Sequence, residues 1–385
     1  MRTLQSNSPI SPLLWVTSTP PKPAGPTDGL LDQEQHTYSS STMADTSAQE
    51  PEYSNALIPE SDDSDIDSAI GGLTYASSTT SARSDVYTSV EEFGRTYHGY
   101  KSGKYLLPND EKERDRLDLQ HMLFTISCDG ALALAPIGNP KRVLDIATGT
   151  GIWAMDFAEQ YPDARVTGTD LSPIQPSYVP TNCQFEIADA EDEWNYSRPF
   201  DYIHGRALLT CFADPRSIIQ KAYDNLAPGG YLELQDGLFP FQFMDPQPPP
   251  ENPLRSFLET VAECGSKIGR PWNNVQHYKR WFEEIGFEAV EEKRLYWPCG
   301  PWAKGDKMKK LGVYFLEDLK HAFEPVAMKM FVKILGWTEE RTKTYMAEEV
   351  MPLLGARKTY MYETVCFTYG RKPLNPPPEQ SVDQS

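Results

Sequence analysis

Val143-Leu144-Asp145-Ile146-Ala147-Thr148-Gly149-Thr150-Gly151-Ile152-Trp153 is the stretch on which the reading of this chain turns. An apolar run closed by small residues and followed by a helical pattern reads as strand, turn and helix. Small residues at 147, 149 and 151 let a ligand approach the backbone closely. The helix start beyond them offers free N–H groups. Read literally, Gly149 to Ala154 also fits G-x-G-x-x-A, a dinucleotide fingerprint that is weak alone.

Charge separates two ligands that such a turn could hold. A dinucleotide brings an anionic pyrophosphate to the loop, and Asp145 would oppose it. S-adenosylmethionine (SAM) brings a sulfonium and an ammonium, which suit a carboxylate four residues before Gly149, directly or through water. Asp170 closes the next strand-like run, Val166-Thr167-Gly168-Thr169-Asp170, where a doubly wound fold places its ribose-binding acid. That position alone does not separate nicotinamide from adenosyl ligands, since both carry a ribose diol. Asp189, in Phe185-Glu186-Ile187-Ala188-Asp189-Ala190, stands where an acid at the end of a third strand can accept an adenine amino group.

Outward from this motif the pattern is βαβ. Strand-like runs fall at 142–146, 165–169, 184–188, 201–204 and 231–235, with helical stretches near 151–160 and 215–227. Asp214 before Pro215 is a helix start, and Pro228-Gly229-Gly230 a helix stop. A helix near 275–285 ending at Gly286, a strand over 289–297, a helical insertion over 302–355 and a last strand over 361–369 follow. The fold predicted is α/β: a doubly wound, mostly parallel, seven-stranded sheet, with the insertion as a lid before the last strand. An N-terminal helical arm precedes it, capped by Asp110 with Glu113 completing a capping box and running to about Ile126.

Composition bounds the rest. The formal net charge is -19, and residues 1–90 hold twelve acidic residues against Arg2, Lys22 and Arg83. Such a chain is not one held on DNA or RNA by phosphate contacts, and no direct nucleic-acid binding is expected. Residues 1–90 are rich in Ser, Thr, Pro and acids and read as disordered, as does the tail 373–385, leaving 91–372 as the folded domain. Asp62-Asp63-Ser64-Asp65 is a stretch a kinase could modify, or part of a passive tail. The longest apolar run near the start, Leu13 to Val16, is too short for a signal core, and no run approaches a membrane span. A soluble protein of the cytoplasm, the nucleus or both is expected. The six cysteines are scattered without metal spacing, so reduced thiols and no metal site are expected.

Three blocks give the chain a specific resemblance. They are Gly94-Arg95-Thr96-Tyr97-His98-Gly99-Tyr100 running on to Asp118, then Gly149 to Trp153 with Asp170-Leu171-Ser172-Pro173-Ile174-Gln175-Pro176, and then Trp297-Pro298-Cys299-Gly300-Pro301-Trp302 with Leu335-Gly336-Trp337. As a set they resemble the fungal LaeA-like methyltransferases, a branch of the class I SAM-dependent enzymes. The Pro228-Gly229-Gly230 step looks like the one before strand five of that class. The resemblance implies a Rossmann-like fold, SAM as cofactor, and methyl transfer to a secondary metabolite or a protein. It equally implies, as the alternative, a regulatory partner in a nuclear complex, which would dock through the N-terminal segment. Carried over residue by residue, Asp145, Gly149 and Gly151 would cradle the methionine portion, Asp170 the ribose and Asp189 the adenine. Tyr100 and Tyr105 would fold over the cofactor or pack as an arm. The family's usual loop is D-x-G-x-G-x-G, and Ala147 replaces its first glycine, which matters if that position needs positive φ.

Methyl transfer needs a general base only when the nucleophile holds a proton it would not otherwise lose. His204 and Asp236 are the catalytic candidates, one at the end of the fourth strand and one at the end of the fifth, with His204 alternatively a structural histidine near the cofactor. Arg206, Gln235 and Trp302 are the candidate substrate contacts. Trp297, Trp302, Tyr314, Phe315 and Phe323 either line an apolar pocket or pack a core. His98 and His121 fall in the family-like N-terminal block with no role to assign.

Overall fold

The computed structural model describes residues 88–356 and 359–375. The first elements are a two-stranded hairpin, β1 (Ser89–Glu92) and β2 (Arg95–His98). Its two-residue turn, Phe93-Gly94, has positive φ at both positions (55° and 74°), the geometry that matches strand twist in a tight hairpin. Ser89 and Val90 thus stand in a strand ahead of the expected boundary at 91. The rest of the segment read as disordered, the Asp62–Asp65 stretch and the tail beyond 375 lie outside the described residues.

Helix α1 (Glu111–Ser127) starts where its cap predicts, with Asp110 accepting from the Glu113 N–H at 3.1 Å. The capping box is only half made. The Glu113 side chain turns away from the cap, is buried, and accepts from Arg116 Nη2 at 2.7 Å. A buried guanidinium is a stronger demand on that carboxylate than an exposed backbone N–H.

The strands that follow are β3 (Arg142–Ile146), β4 (Arg165–Asp170), β5 (Cys183–Ile187), β6 (Phe200–Arg206), β7 (Leu226–Gly237), β8 (Gln242–Phe243), β9 (Glu288–Pro298) and β10 (Met361–Arg371). One sheet runs β5-β4-β3-β6-β7-β10, with β9 on the outer edge of β10. Neighbours from β5 to β7 are parallel, whereas β10 lies antiparallel to both β7 and β9. The seven expected strands are present, and the two-residue β8 adds an eighth against the start of β10. The order reverses between β3 and β6, so the carboxyl ends of those strands form the crevice in which such folds hold ligands.

Helix α2 (Ile152–Gln160) covers one face with Trp153, Ala154 and Phe157 buried against Val143, Val166 and Tyr202. Helices α3 (Pro215–Asn225) and α5 (Tyr278–Ile285) cover the other, α5 ending at Gly286 with φ 110°. Helix α4 (Pro253–Lys267) was not anticipated. Its start signals, Asn252 capping the Arg255 N–H and Pro253 in the first turn, sit directly behind the proline run at 248–250, which reads as loop. The insertion is α6 (Asp306–Ala327), a π-helical turn (Met328–Ile334), α7 (Glu339–Tyr345), a second π-helical turn (Met346–Val350) and a 3-10 turn (Met351–Leu353). Pro325 withholds an N–H near the end of α6, and the helical ladder widens just beyond it. The largest core cluster lies here, where α1, α4 and α6 close over β10.

Candidate active site

The glycine-rich turn leaves β3 with Ala147 at φ 52°, Gly149 at φ 60° and Gly151 at φ 81°. At Gly149 a Cβ would meet only Leu117 Cδ1, at 3.5 Å, so the loop faces open space. At Gly151 a Cβ would strike the Phe185 ring at 2.3 Å, so space and backbone both require glycine. Side chains brace the turn. Thr150 Oγ1 donates to Asp118 of α1 at 2.8 Å, and Gln175 Nε2 donates to the Gly149 carbonyl at 2.6 Å.

Three acids stand around this turn at the ends of β3, β4 and β5, all lining one cavity. Asp145 is buried, accepts from Thr148 Oγ1 at 2.5 Å and is bonded to His204 Nδ1 at 2.8 Å. Because the carboxylate accepts, that ring nitrogen carries the hydrogen. Asp170 accepts from the Gly149 N–H (2.9 Å) and the Ser172 N–H (2.8 Å). Burial pushes its carboxyl up to about 6, more than those two bonds pull it down, and the charge of Asp145 adds to the rise. Asp189 is held by Lys101 at 2.8 Å and by Lys104, both from the N-terminal arm. Burial opposes its charge, but the two lysines outweigh burial and hold the carboxyl below its usual range. Tyr105 also lines the cavity, whereas Tyr100 does not.

Other expectations need correction. His204 is fully buried and stacks on Trp153 under α2, with ring centroids 3.6 Å apart and planes 8° from parallel. It therefore lies behind Asp145, outside the cavity lining, and orients that carboxylate rather than serving as a base. Gln235 points to the face opposite Asp236. Its amide donates to Glu233 Oε1 at 2.8 Å, inside a buried group in which Glu233 also accepts from the Leu134 and Ala135 N–H groups and from Tyr202. Trp302 is outside the cavity and packs edge-on to Tyr360, and Tyr314 is outside it too.

Arg206 and Asp236 do face the cavity. Arg206 donates to His121 Nδ1 at 2.7 Å, and His121 Nε2 meets Asp156 at 2.9 Å. Burial pulls the Arg206 guanidinium down to about 10, so it stays a cation. Asp236 accepts from the Leu208 N–H and Tyr278 hydroxyl on one oxygen (both 3.1 Å) and from the Gly237 N–H on the other (3.0 Å). Burial lifts its carboxyl to about 7 against those bonds.

Beyond Arg206 and Asp236 the cavity continues into an aromatic chamber. Phe124 of α1, Phe239 and Phe241 after β7, Phe257 of α4, Trp297 of β9 and Phe315 and Phe323 of α6 line it. Trp297, Phe315 and Phe323 thus do both things the sequence left open, packing in the core cluster and lining the cavity. Arg116 and Asp318, bonded at 2.8 Å, lie where α1 meets α6 along its wall. Sequence reasoning passed over Arg116, Asp318 and Glu363, which also line it. Among the described residues no cluster of His, Cys, Asp and Glu could hold a metal ion, and no helix is long and apolar enough to cross a membrane.

A family model described as a methyltransferase domain matches residues 119–292. The methyltransferase pytC of Aspergillus terreus is 36% identical over 292 residues, covering 74% of this chain and 90% of the relative. The probable methyltransferase tdiE of Emericella nidulans is 34% identical, covering 69% and 83%. The secondary metabolism regulator laeA of Aspergillus fumigatus is 32% identical, covering 79% and 82%.

Proposed function

Because the chain belongs to the LaeA-like family of fungal methyltransferases and is a SAM-dependent methyltransferase, we propose that it methylates a small, largely apolar molecule of secondary metabolism held in the aromatic chamber. One observation carries this reading: the acidic cleft at the ends of β3, β4 and β5 and the aromatic chamber under the insertion are one continuous cavity. The acceptor end is lined by aromatic side chains of α1, α4 and α6, a surface that suits a flat apolar molecule.

The cleft suits SAM by its own chemistry. The open backbone at Gly149 admits a ligand against the turn, and three carboxylates stand ready for a cation and two hydrogen-bond donors. In this reading Asp145 and Gly149 hold the methionine portion, Asp170 the ribose diol and Asp189 the adenine amino group. Gly151, packed on the Phe185 ring and outside the cavity lining, shapes the turn and does not touch the cofactor. Lys101 and Lys104 tie the N-terminal arm to Asp189, and Tyr105 of the same arm lines the cleft. Bound SAM supplies a methyl carbon already activated by its sulfonium. The chain's part is to align the acceptor in line with that carbon and to exclude water.

Calorimetric titration of the full chain with SAM, S-adenosylhomocysteine and NAD tests the cofactor site. Micromolar binding of both adenosyl ligands, no NAD binding, and losses of at least about tenfold in Asp145→Asn and Asp170→Asn are expected. Binding of NAD alone, or no loss in either variant, would sink the assignment.

A second reading has one observation in its favour, the designation of the laeA relatives as regulators. There the segment before residue 88 would dock partner proteins, in the nucleus or the cytoplasm. Deleting residues 1–87 should leave turnover intact in an enzyme and abolish partner capture in a regulator.

A further inference from the structure

The carboxyls lining the cavity are those of Asp145, Asp170, Asp189, Asp236, Asp318 and Glu363. Each of the first five has donors on it: His204 and Thr148, two backbone N–H groups, two lysines, a tyrosine with two N–H groups, and Arg116. Glu363 differs. It is 8% exposed and, among the described residues, has neither a hydrogen bond nor an ion pair. Its strand explains how odd this is. On β10 the residues of the same face, Met361, Val365 and Phe367, are all apolar and all belong to the chamber's core. Period-two alternation calls for an apolar side chain at 363, and a carboxyl stands there instead.

The sequence also makes room for it. At Gly237, next to Asp236, a Cβ would come within 1.7 Å of Glu363 Oε1, so the carboxyl lies directly against the β7 backbone at the ligand-binding end of the sheet. Burial and the charges of Asp318 and Asp236 raise its pKa well above the usual carboxylate range. Burying an unpartnered acid costs free energy, so a fold without use for it would carry a methionine or leucine there.

We propose that Glu363 is the acceptor-recognising catalytic residue: it hydrogen-bonds a hydroxyl on an uncharged, ring-containing acceptor and takes its proton as the oxygen is methylated. The inference rests on the methyl-transfer reading above. The acceptor oxygen forms a bond to the cofactor's methyl carbon, the carbon–sulfur bond breaks with its electron pair going to sulfur, and the hydroxyl proton passes to Glu363 in its ionised form and then to solvent. Because its pKa is raised, Glu363 must first release its own proton to solvent, so transfer should increase as pH rises. The rings fit a flat apolar body, and one unpartnered acceptor among them fits one donor on that body. An ammonium acceptor fits poorly. The guanidiniums of Arg116 and Arg206 line the same cavity.

The test uses the full chain loaded with S-adenosylhomocysteine and titrated with naphthol, naphthalene and naphthylmethylammonium. Naphthol should bind about tenfold tighter than naphthalene, and the ammonium more weakly than either. The naphthol preference should vanish in Glu363→Met. Glu363→Gln, which keeps a hydrogen bond but cannot take a proton, should bind naphthol normally and lose about a hundredfold in methyl transfer to it. Glu363→Met should also raise the thermal midpoint, which a packing residue would not do. Equal binding of naphthol and naphthalene, tightest binding of the ammonium, a lowered midpoint in Glu363→Met, or unchanged turnover in Glu363→Gln would overturn the assignment. Failure of S-adenosylhomocysteine to bind the wild-type chain would instead overturn the cofactor reading on which it rests.

Discussion

The two ends of the cavity are built on different plans. At the cofactor end, polar groups of adjacent strands and turns are tied to one another across 3 to 26 positions: Thr148 on Asp145, Gly149 on Asp170, and Gln175 on Ser172 and Gly149. At the acceptor end the lining comes from elements far apart in sequence, Phe124 and Phe323 among them, and contributes shape more than hydrogen bonds. A ligand that never changes can be held by short-range geometry. A ligand that differs among relatives is better held by a surface that large side chains reshape without disturbing the turn after β3. Dividing the cavity this way lets an acceptor site diverge while the cofactor site stands.

The comparison breaks most visibly where the two ends are tied together. Arg116 of α1 is buried, donates to Glu113 on its own helix at 2.7 Å and reaches Asp318 of α6 at 2.8 Å. Burial works against its charge, yet the two carboxylates outweigh burial and raise its pKa, while burial leaves that of Asp318 raised as well. Removing the cation strands two acids in an apolar wall. Arg116→Ala should cost about 3–5 kcal/mol in urea unfolding of the full chain. Pairing Arg116→Met with Glu113→Gln and Asp318→Asn should recover much of it. A loss under about 1 kcal/mol in the single variant would mean that apolar packing alone holds the insertion down.

The pH dependence should be the next largest effect, and it opposes the common pattern of acid denaturation. Asp170 and Asp236 ionise near 3.8 when unfolded, but burial lifts them to about 6 and about 7 in the fold. The folded chain therefore binds more protons than the unfolded chain through that window, and stability falls as pH rises across it. Each group contributes on the order of 3 kcal/mol, fully present below about pH 4 and lost by its folded value. Thermal midpoints of the cofactor-free chain should show this decline, and Asp236→Asn should flatten its upper part. An unchanged slope in that variant would assign the decline to other groups.

These contrasts explain what the sequence could and could not tell. The strand–turn–helix at 143–153, the acids at 170 and 189 and the succession of strands and helices along the chain are legible because each rests on local spacing. Side-chain direction was harder. Gln235 and Asp236 both read as site residues, yet adjacent strand positions face opposite sides and only Asp236 reaches the cavity. His204 reads from the sequence either as a base or as a structural histidine beside the cofactor, and the Trp153 ring of α2, a contact no spacing rule reports, decides for the second. Arg116 and Asp318 are 202 positions apart, so their pairing was invisible. Glu363 was the one hidden residue with a local signal, an acid at the apolar parity of β10, readable only once it is known which face is buried.

The smallest expected effect concerns the departure from the family's loop. Ala147 stands at the first glycine of the D-x-G-x-G-x-G pattern that the resemblance implies, and its φ of 52° lies in the left-handed region. Holding an alanine there costs about 1–2 kcal/mol relative to a right-handed conformation, and glycine escapes that cost. Glycine also gains freedom in the unfolded chain, which returns about 0.4–1 kcal/mol. Ala147→Gly should therefore stabilise the fold by no more than about 1 kcal/mol, a rise of about 2–4 °C in thermal midpoint, and leave S-adenosylhomocysteine affinity equal or slightly tighter. The methyl group of Ala147 also packs at the margin of the core formed by Leu144, Ile146 and Leu208. If the midpoint falls instead, that packing outweighs the backbone strain, and the alanine belongs to the apolar plan of the protein rather than to the turn that holds the cofactor.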